Sequence, residues 1–166
     1  MTGIEPLTPE YFATVAGWLS NPEINQWLTA EWRDRAIDPM LIGVAVRSKR
    51  NRFFLVRSAG VPCGLVSLAD WDAADKIAMI WYVLGDPASG GRGVITQAVQ
   101  ELVRTAFDTL GIEALHAWIM EDNNRSRRVL EKNGFREAGR LRLAAVHHGC
   151  RLDRVYFDLT RQDPGA

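Results

Sequence analysis

Apolar residues recur along the chain at two periods, and the alternation between them divides it into elements. Ile95, Ala98, Val99, Leu102, Val103, Ala106, Phe107 and Leu110 follow the i, i+3, i+4 rule and predict an amphipathic helix over 94–110, closed by Gly111. Phe12, Val15, Ala16 and Leu19 mark a shorter helix, with Thr8 as its expected cap and Pro9 at its start. Asn21-Pro22 stops and restarts it, so that 23–28 reads as a second helical piece and 29–46 as a further irregular or helical segment. A short strand is expected ahead of these, over 4–7.

From Arg52 the pattern becomes extended. Residues 53–57 and 62–71, joined by the turn Ser58-Ala59-Gly60, read as an antiparallel hairpin, and the nearly continuous apolar run 76–84 as a central strand covered on both faces. After the long helix come a strand over 114–120, a short helix over 125–133 ending at Gly134, and a terminal hairpin of 135–145 and 151–159 whose loop holds His147, His148 and Gly149. Residues 160–166 are expected to fray. A helix between the strands 76–84 and 114–120 implies a parallel pair joined by a right-handed crossover. The fold class is therefore α/β, one mixed and mostly antiparallel sheet with helices on both faces.

Composition narrows the function. The 166 residues with 47% apolar content and seven prolines suit one domain, 1–166, with one substantial core. Lys plus Arg and Asp plus Glu balance at 20 each, so no global field favours nucleic acid or an anionic membrane. With neither a leader-like start nor a spanning apolar run, a cytoplasmic location is the expectation. Cys63 and Cys150 are too few and too far apart for a metal site or a disulfide framework, and no metal is expected.

Candidate chemistry concentrates at LGDPASGGRGVIT, between the central strand and the long helix. Glycines there let the backbone turn out of a strand, present consecutive N–H groups and enter a helix, which makes an anion site. The sequence fits neither the dinucleotide fingerprint nor the P-loop, so another phosphate-bearing cofactor is needed. In open α/β sheets ligands lie beyond the carboxyl ends of the strands, and that rule sets this loop beside 121–126.

The segment GGRGVIT resembles the pyrophosphate loop of the GNAT superfamily of N-acetyltransferases. Asn123 to Phe135, NNRSRRVLEKNGF, resembles that family's second motif, the Asn-x-x-Ser helix ending in Lys-x-Gly-Phe. The likeness extends over 53–159 and points to the RimJ/RimL-like branch. It implies acetyl coenzyme A bound across the splayed ends of the two parallel strands, near Tyr82, Val83 and Leu84. Gly90, Gly91, Arg92, Gly93, Val94, Ile95 and Thr96 would lie on its pyrophosphate, with Asn123, Arg125 and Arg128 close by. Gly90 departs from the usual Arg or Gln, and Ile95 from the usual small residue. Leu130 stands where other branches carry the tyrosine that protonates the leaving thiolate; in this branch the residue matching Ser126 is the suggested donor.

An amine must be neutral to attack a thioester, which requires a base or solvent to take its proton. The candidate bases are Asp70, Asp72 and Glu121, with His147 or His148 if the last hairpin folds over the cleft. Trp27 and Trp32 are candidates for lining the acceptor cleft, beside Asp70 and His147. The implied reaction is acetyl transfer to a primary amine, on a small molecule or a protein N-terminus, by direct attack in a ternary complex. The alternative is a non-catalytic coenzyme-A-binding or interaction module of the same fold.

Overall fold

A computed structural model describes residues 1–163 as seven strands in the order β1-β2-β3-β4-β5-β7-β6, with helices on both faces. The strands are β1 (Thr2–Pro6), β2 (Arg52–Ser58), β3 (Val61–Asp72), β4 (Ile77–Leu84), β5 (Ala114–Met120), β6 (Arg136–His147) and β7 (Cys150–Thr160). All neighbours are antiparallel except β4 and β5, and β4 is central. The helices are α1 (Phe12–Ser20), α2 (Pro22–Asn25), α3 (Pro39–Arg47), α4 (Val94–Arg104) and α5 (Asn124–Lys132). Among the described residues no helix is long and apolar enough to cross a membrane.

Strand alternation sorts two cores. Val66, Leu68, Ala78, Ile80, Leu115 and Ala117 face α4, whose Ala98, Val99 and Leu102 are fully buried against them. Leu55, Leu65 and Val83 face Val15, Leu19 and Ile42 of α1 and α3 on the opposite side. Among the described residues this second core takes in no residue of β5 or β7, and a cleft lies on that side of the sheet.

Four local expectations change. Thr8 caps nothing: its hydroxyl donates to Glu10 instead, and a 3₁₀ turn at Pro9–Tyr11 precedes α1. The long helix ends in a π turn at Thr105–Thr109, where the Thr105 hydroxyl takes the Glu101 carbonyl and the Leu110 N–H reaches back five residues to Thr105. Residues 29–38 carry no α-helix, and only Pro39–Arg47, capped by Asp38, is helical in the region left open. The tail does not fray at Thr160, because Asp163 accepts both the Thr160 N–H and its hydroxyl at 2.9 Å and pairs with Arg136 at 3.1 Å. Residues 164–166 lie outside the described residues.

Candidate active site

The parallel pair is short. Only Ile77, Ala78 and Met79 pair with Ala114, Leu115 and His116; beyond that β4 stays on β3 as far as Leu84 and β5 stays on β7 as far as Met120. The two strands diverge, and the edge of β4 from Ile80 onward has no ladder partner on its β5 side. A cavity of about 60 Å³ opens in the gap, lined by Ile80, Tyr82, Ala117, Ile119, Asn123 and Ser126 among others. Asn123 caps α5 by accepting the Ser126 N–H at 3.2 Å, and the Tyr82 hydroxyl donates to the Ser126 carbonyl at 3.1 Å. Both bonds use the Ser126 backbone, so its hydroxyl is left without a partner among the described residues.

The glycine loop lies between β4 and α4. Gly85 packs so closely that a Cβ would collide with the Trp18 ring, which pins the start of the loop to α1. Asp86 caps the short turn Pro87–Ser89, and Gly90 closes it. Gly91 and Gly93 then adopt φ of 76° and 70°, a left-handed conformation that favours glycine, with open space around both. Gly93 is the N-cap of α4 and offers no side chain to it. Among the described residues, the N–H groups of residues 91–96 donate to no protein acceptor. They form a row of donors at a helix N-terminus.

A second cavity, of about 540 Å³, lies on the face of β4 and β5 away from α4. Its walls include Trp32, Trp81, Trp118, Asp70 and Arg154, and the segment from Trp27 to Trp32 roofs it. The Trp32 and Trp81 rings sit 5.9 Å apart, and Phe53 meets Trp81 edge-on at 5.8 Å. Trp27, Ile80, Trp81 and Trp118 line both cavities, so the larger one leads into the gap between the strands. His147 lines neither cavity; its ring lies 4.3 Å from that of Trp27, and both His147 and His148 approach the Gln26 side-chain oxygen.

Residues 2–136 match the acetyltransferase (GNAT) domain model. The chain belongs to the GNAT acetyltransferase family. Over 104 residues it is 32% identical to Bacillus subtilis YdaF, whose name assigns it provisionally to ribosomal N-acetylation; the match covers 63% of this chain and 56% of YdaF. The chain thus spans about half the length of that curated relative. Among solved structures it resembles the spermidine N-acetyltransferase of Vibrio cholerae in complex with CoA and spermine, with a TM-score of 0.86 at 17% identity, covering 96% of this chain and 95% of that one. It likewise resembles Mycobacterium smegmatis RimJ in complex with CoA-disulfide, with a TM-score of 0.81 at 21% identity, covering 99% and 84%.

Within this GNAT domain the residues singled out in the sequence separate. Tyr82, Asn123 and Ser126 meet in the gap, and Trp27, Trp32 and Asp70 line the larger cavity. Val83 points the other way, into the core under α1, so only its backbone is available to a ligand at the gap. Arg92, Arg125 and Arg128 are exposed, whereas Arg127 is held by Glu131, Glu137 and the Phe157 ring. Glu121 borders neither cavity: one carboxylate oxygen accepts the Asp153 N–H at 2.9 Å and the other pairs with Arg140 at 3.3 Å. Asp72 is also elsewhere, its carboxylate accepting the Ala74 and Asp75 N–H groups, which holds its pKa below the usual carboxylate range.

Sequence reasoning passed over Trp81, Trp118, Arg154 and His116. His116 and Trp118 stand two apart on β5 and so share the cavity face. The signal was a histidine in a strand whose alternate positions Leu115 and Ala117 are core. Burial pushes the His116 pKa down, with Asp70 acting against it.

Proposed function

We propose that this chain is an acetyl-CoA-dependent N-acetyltransferase acting on a primary amine by direct attack in a ternary complex. The observation that carries the reading is the meeting of three features at one break in the sheet: a row of free N–H groups, an unpaired strand edge and an aromatic cavity opening onto the same gap. The amides of residues 91–96 fit a pyrophosphate, with Gly90 at the turn before them and Gly91 and Gly93 leaving space for close approach. Arg92, Arg125 and Arg128 supply cations near that end, and the free edge of β4 from Ile80 through Leu84 suits the amides of a pantetheine arm. Acetyl-CoA, when bound, supplies a thioester carbon at the gap.

The chain's own residues do the rest. The larger cavity admits the amine, its tryptophan faces and the Asp70 and Glu31 carboxylates suit the ammonium form on entry, and the proton is lost toward solvent before attack. A C–N bond forms as the C–S bond breaks; the nitrogen gives up one proton and the leaving sulfur gains one. Ser126, whose hydroxyl is uncommitted, is the donor to that sulfur. Asn123 and Tyr82 position it through its backbone. The roof formed by the segment from Trp27 to Trp32 suits a small amine better than an extended polypeptide. YdaF and the Vibrio cholerae protein both bear names of N-acetyltransferases, which supports an amine acceptor.

The test is acetyl-CoA turnover across a panel of amines, with thiol release matched to acetylated product by mass spectrometry. Stoichiometric release with at least one amine is expected. Coenzyme A binding without release from any amine would return the chain to the reading of a non-catalytic module.

A further inference from the structure

We infer that the acceptor carries an oxyanion, a carboxylate or phosphate close to its amine, and that Arg154 recognises it. Arg154 lies on β7 opposite Met120, lines the larger cavity, and sets its guanidinium 4.3 Å from the Trp118 ring. Arg154 forms no ion pair among the described residues: of the acids that line the same cavity, Asp70 pairs with Arg50 at 3.7 Å and Glu31 with no cation, while Arg140 takes both Glu121 and Asp153 outside it. The Arg154 Nε is buried and makes no hydrogen bond among the described residues, and the same holds for the Thr29 hydroxyl in the roof of the same cavity. Those two atoms are closed off from the cavity, so the donors that a ligand there can meet are the terminal nitrogens of the guanidinium, and a guanidinium that lines a cleft with no ion pair among the described residues points to an anion from outside the chain.

The sign of the charge decides which amine fits. A second ammonium group beside an unpaired guanidinium is repelled, so a polyamine is a poor match for this end of the cavity, whereas a carboxylate or phosphate forms a charge-assisted bond there. Trp118 also lines the gap between β4 and β5, which keeps Arg154 near the site of attack and calls for a short spacer between amine and anion. Asp70 and Glu31, acids on the same cavity's wall, suit the amine half of such a molecule. This inference rests on the acetyltransferase reading above.

Matched amines separate the two ideas: β-alanine against propylamine, O-phosphoethanolamine against ethanolamine, and spermidine. For wild type, kcat/KM should favour the anionic member of at least one pair by roughly tenfold or more, the scale of a hydrogen bond to a charged group. The pair that responds distinguishes carboxylate from phosphate. Arg154→Gln should collapse that ratio, with Arg154→Lys retaining part of it, in variants whose melting temperatures show them folded. Calorimetric binding of the same amines to the coenzyme A complex repeats the comparison without turnover. If no amine is turned over, the transferase reading fails while binding still tests the anion. Preference for propylamine, ethanolamine or spermidine, or a ratio unchanged in Arg154→Gln, overturns the role of Arg154.

Discussion

The Tyr82 hydroxyl donates a 3.1 Å hydrogen bond to the Ser126 carbonyl, and this contact ties β4 to the first turn of α5 across the gap where β4 and β5 part. Burial raises the Tyr82 pKa far above the ordinary phenol range, so the group stays a neutral donor at any working pH. Tyr82→Phe should therefore cost about 1 kcal/mol of stability, with a larger loss if the Ser126 carbonyl remains dry. Urea denaturation would read this as a lower midpoint at unchanged slope, and an unmoved midpoint would remove the tie.

Ser126→Ala deletes a hydroxyl with no partner among the described residues while leaving both backbone bonds of that residue intact. The melting temperature should stay within about a degree of wild type, whereas kcat should fall roughly 10- to 100-fold if the hydroxyl protonates the leaving sulfur. Single-turnover kinetics isolate the chemical step. An unaltered rate there would reduce Ser126 to an ordinary helix residue.

Gly93→Val places a β-branched residue at φ of 70° and projects a side chain into space that is open beside the amide row. Backbone strain should cost about 1–3 kcal/mol of stability. The coenzyme A dissociation constant should rise about tenfold or more, equivalent to ~1.4 kcal/mol. Calorimetry on the folded variant is the measurement, and unchanged affinity would place the coenzyme elsewhere.

Glu121→Gln should leave the acidic limb of the kcat/KM profile where it is in wild type. Its carboxylate serves the Asp153 N–H and Arg140 rather than either cavity, so the substitution weakens a surface network and no proton path. Loss of the limb in this variant would reinstate Glu121 as the base.

Burial lowers the pKa of both His116 and His147, and for His147 the neighbouring His148 adds to the effect. The folded chain then holds fewer protons than the unfolded one in the interval just below pH 6.5, the ordinary histidine value. Their contribution to stability is present above that value and is lost as pH falls through the depressed pKa values. His116→Gln should flatten the decline in melting temperature between pH 7 and 5. An equally steep decline would mean that other groups control acid sensitivity.

Most element positions were legible because they follow local rules. The 3.6-residue period gave α4, alternation gave the strands, and the strand–helix–strand order gave the parallel pair of β4 and β5. Where local rules compete, the sequence is less informative: Thr8 prefers Glu10 to a cap, and the long helix closes in a π turn in which the Leu110 N–H reaches Thr105. Asn123 and Ser126 are named in the sequence by the resemblance of NNRSRRVLEKNGF to the family's second motif, and in the fold a cap links the two.

The sequence by itself determined the glycine loop, the helix that follows it and the second motif, since φ preferences and side-chain periods act over a few residues. Only the tertiary structure decided that β4–β5 pairing stops at Met79 and His116, because the point of divergence depends on how each strand is held by its other neighbour. The same is true of the cavity, whose tryptophans at 27, 81 and 118 come from segments far apart in the chain. Charge partners are settled last and at longest range. Glu121 is a candidate base in the sequence and Arg154 carries no signal there; the sheet sets Arg140 against Glu121 and Asp153 and puts Arg154 over Trp118, in a cavity that Asp70 and Glu31 also line.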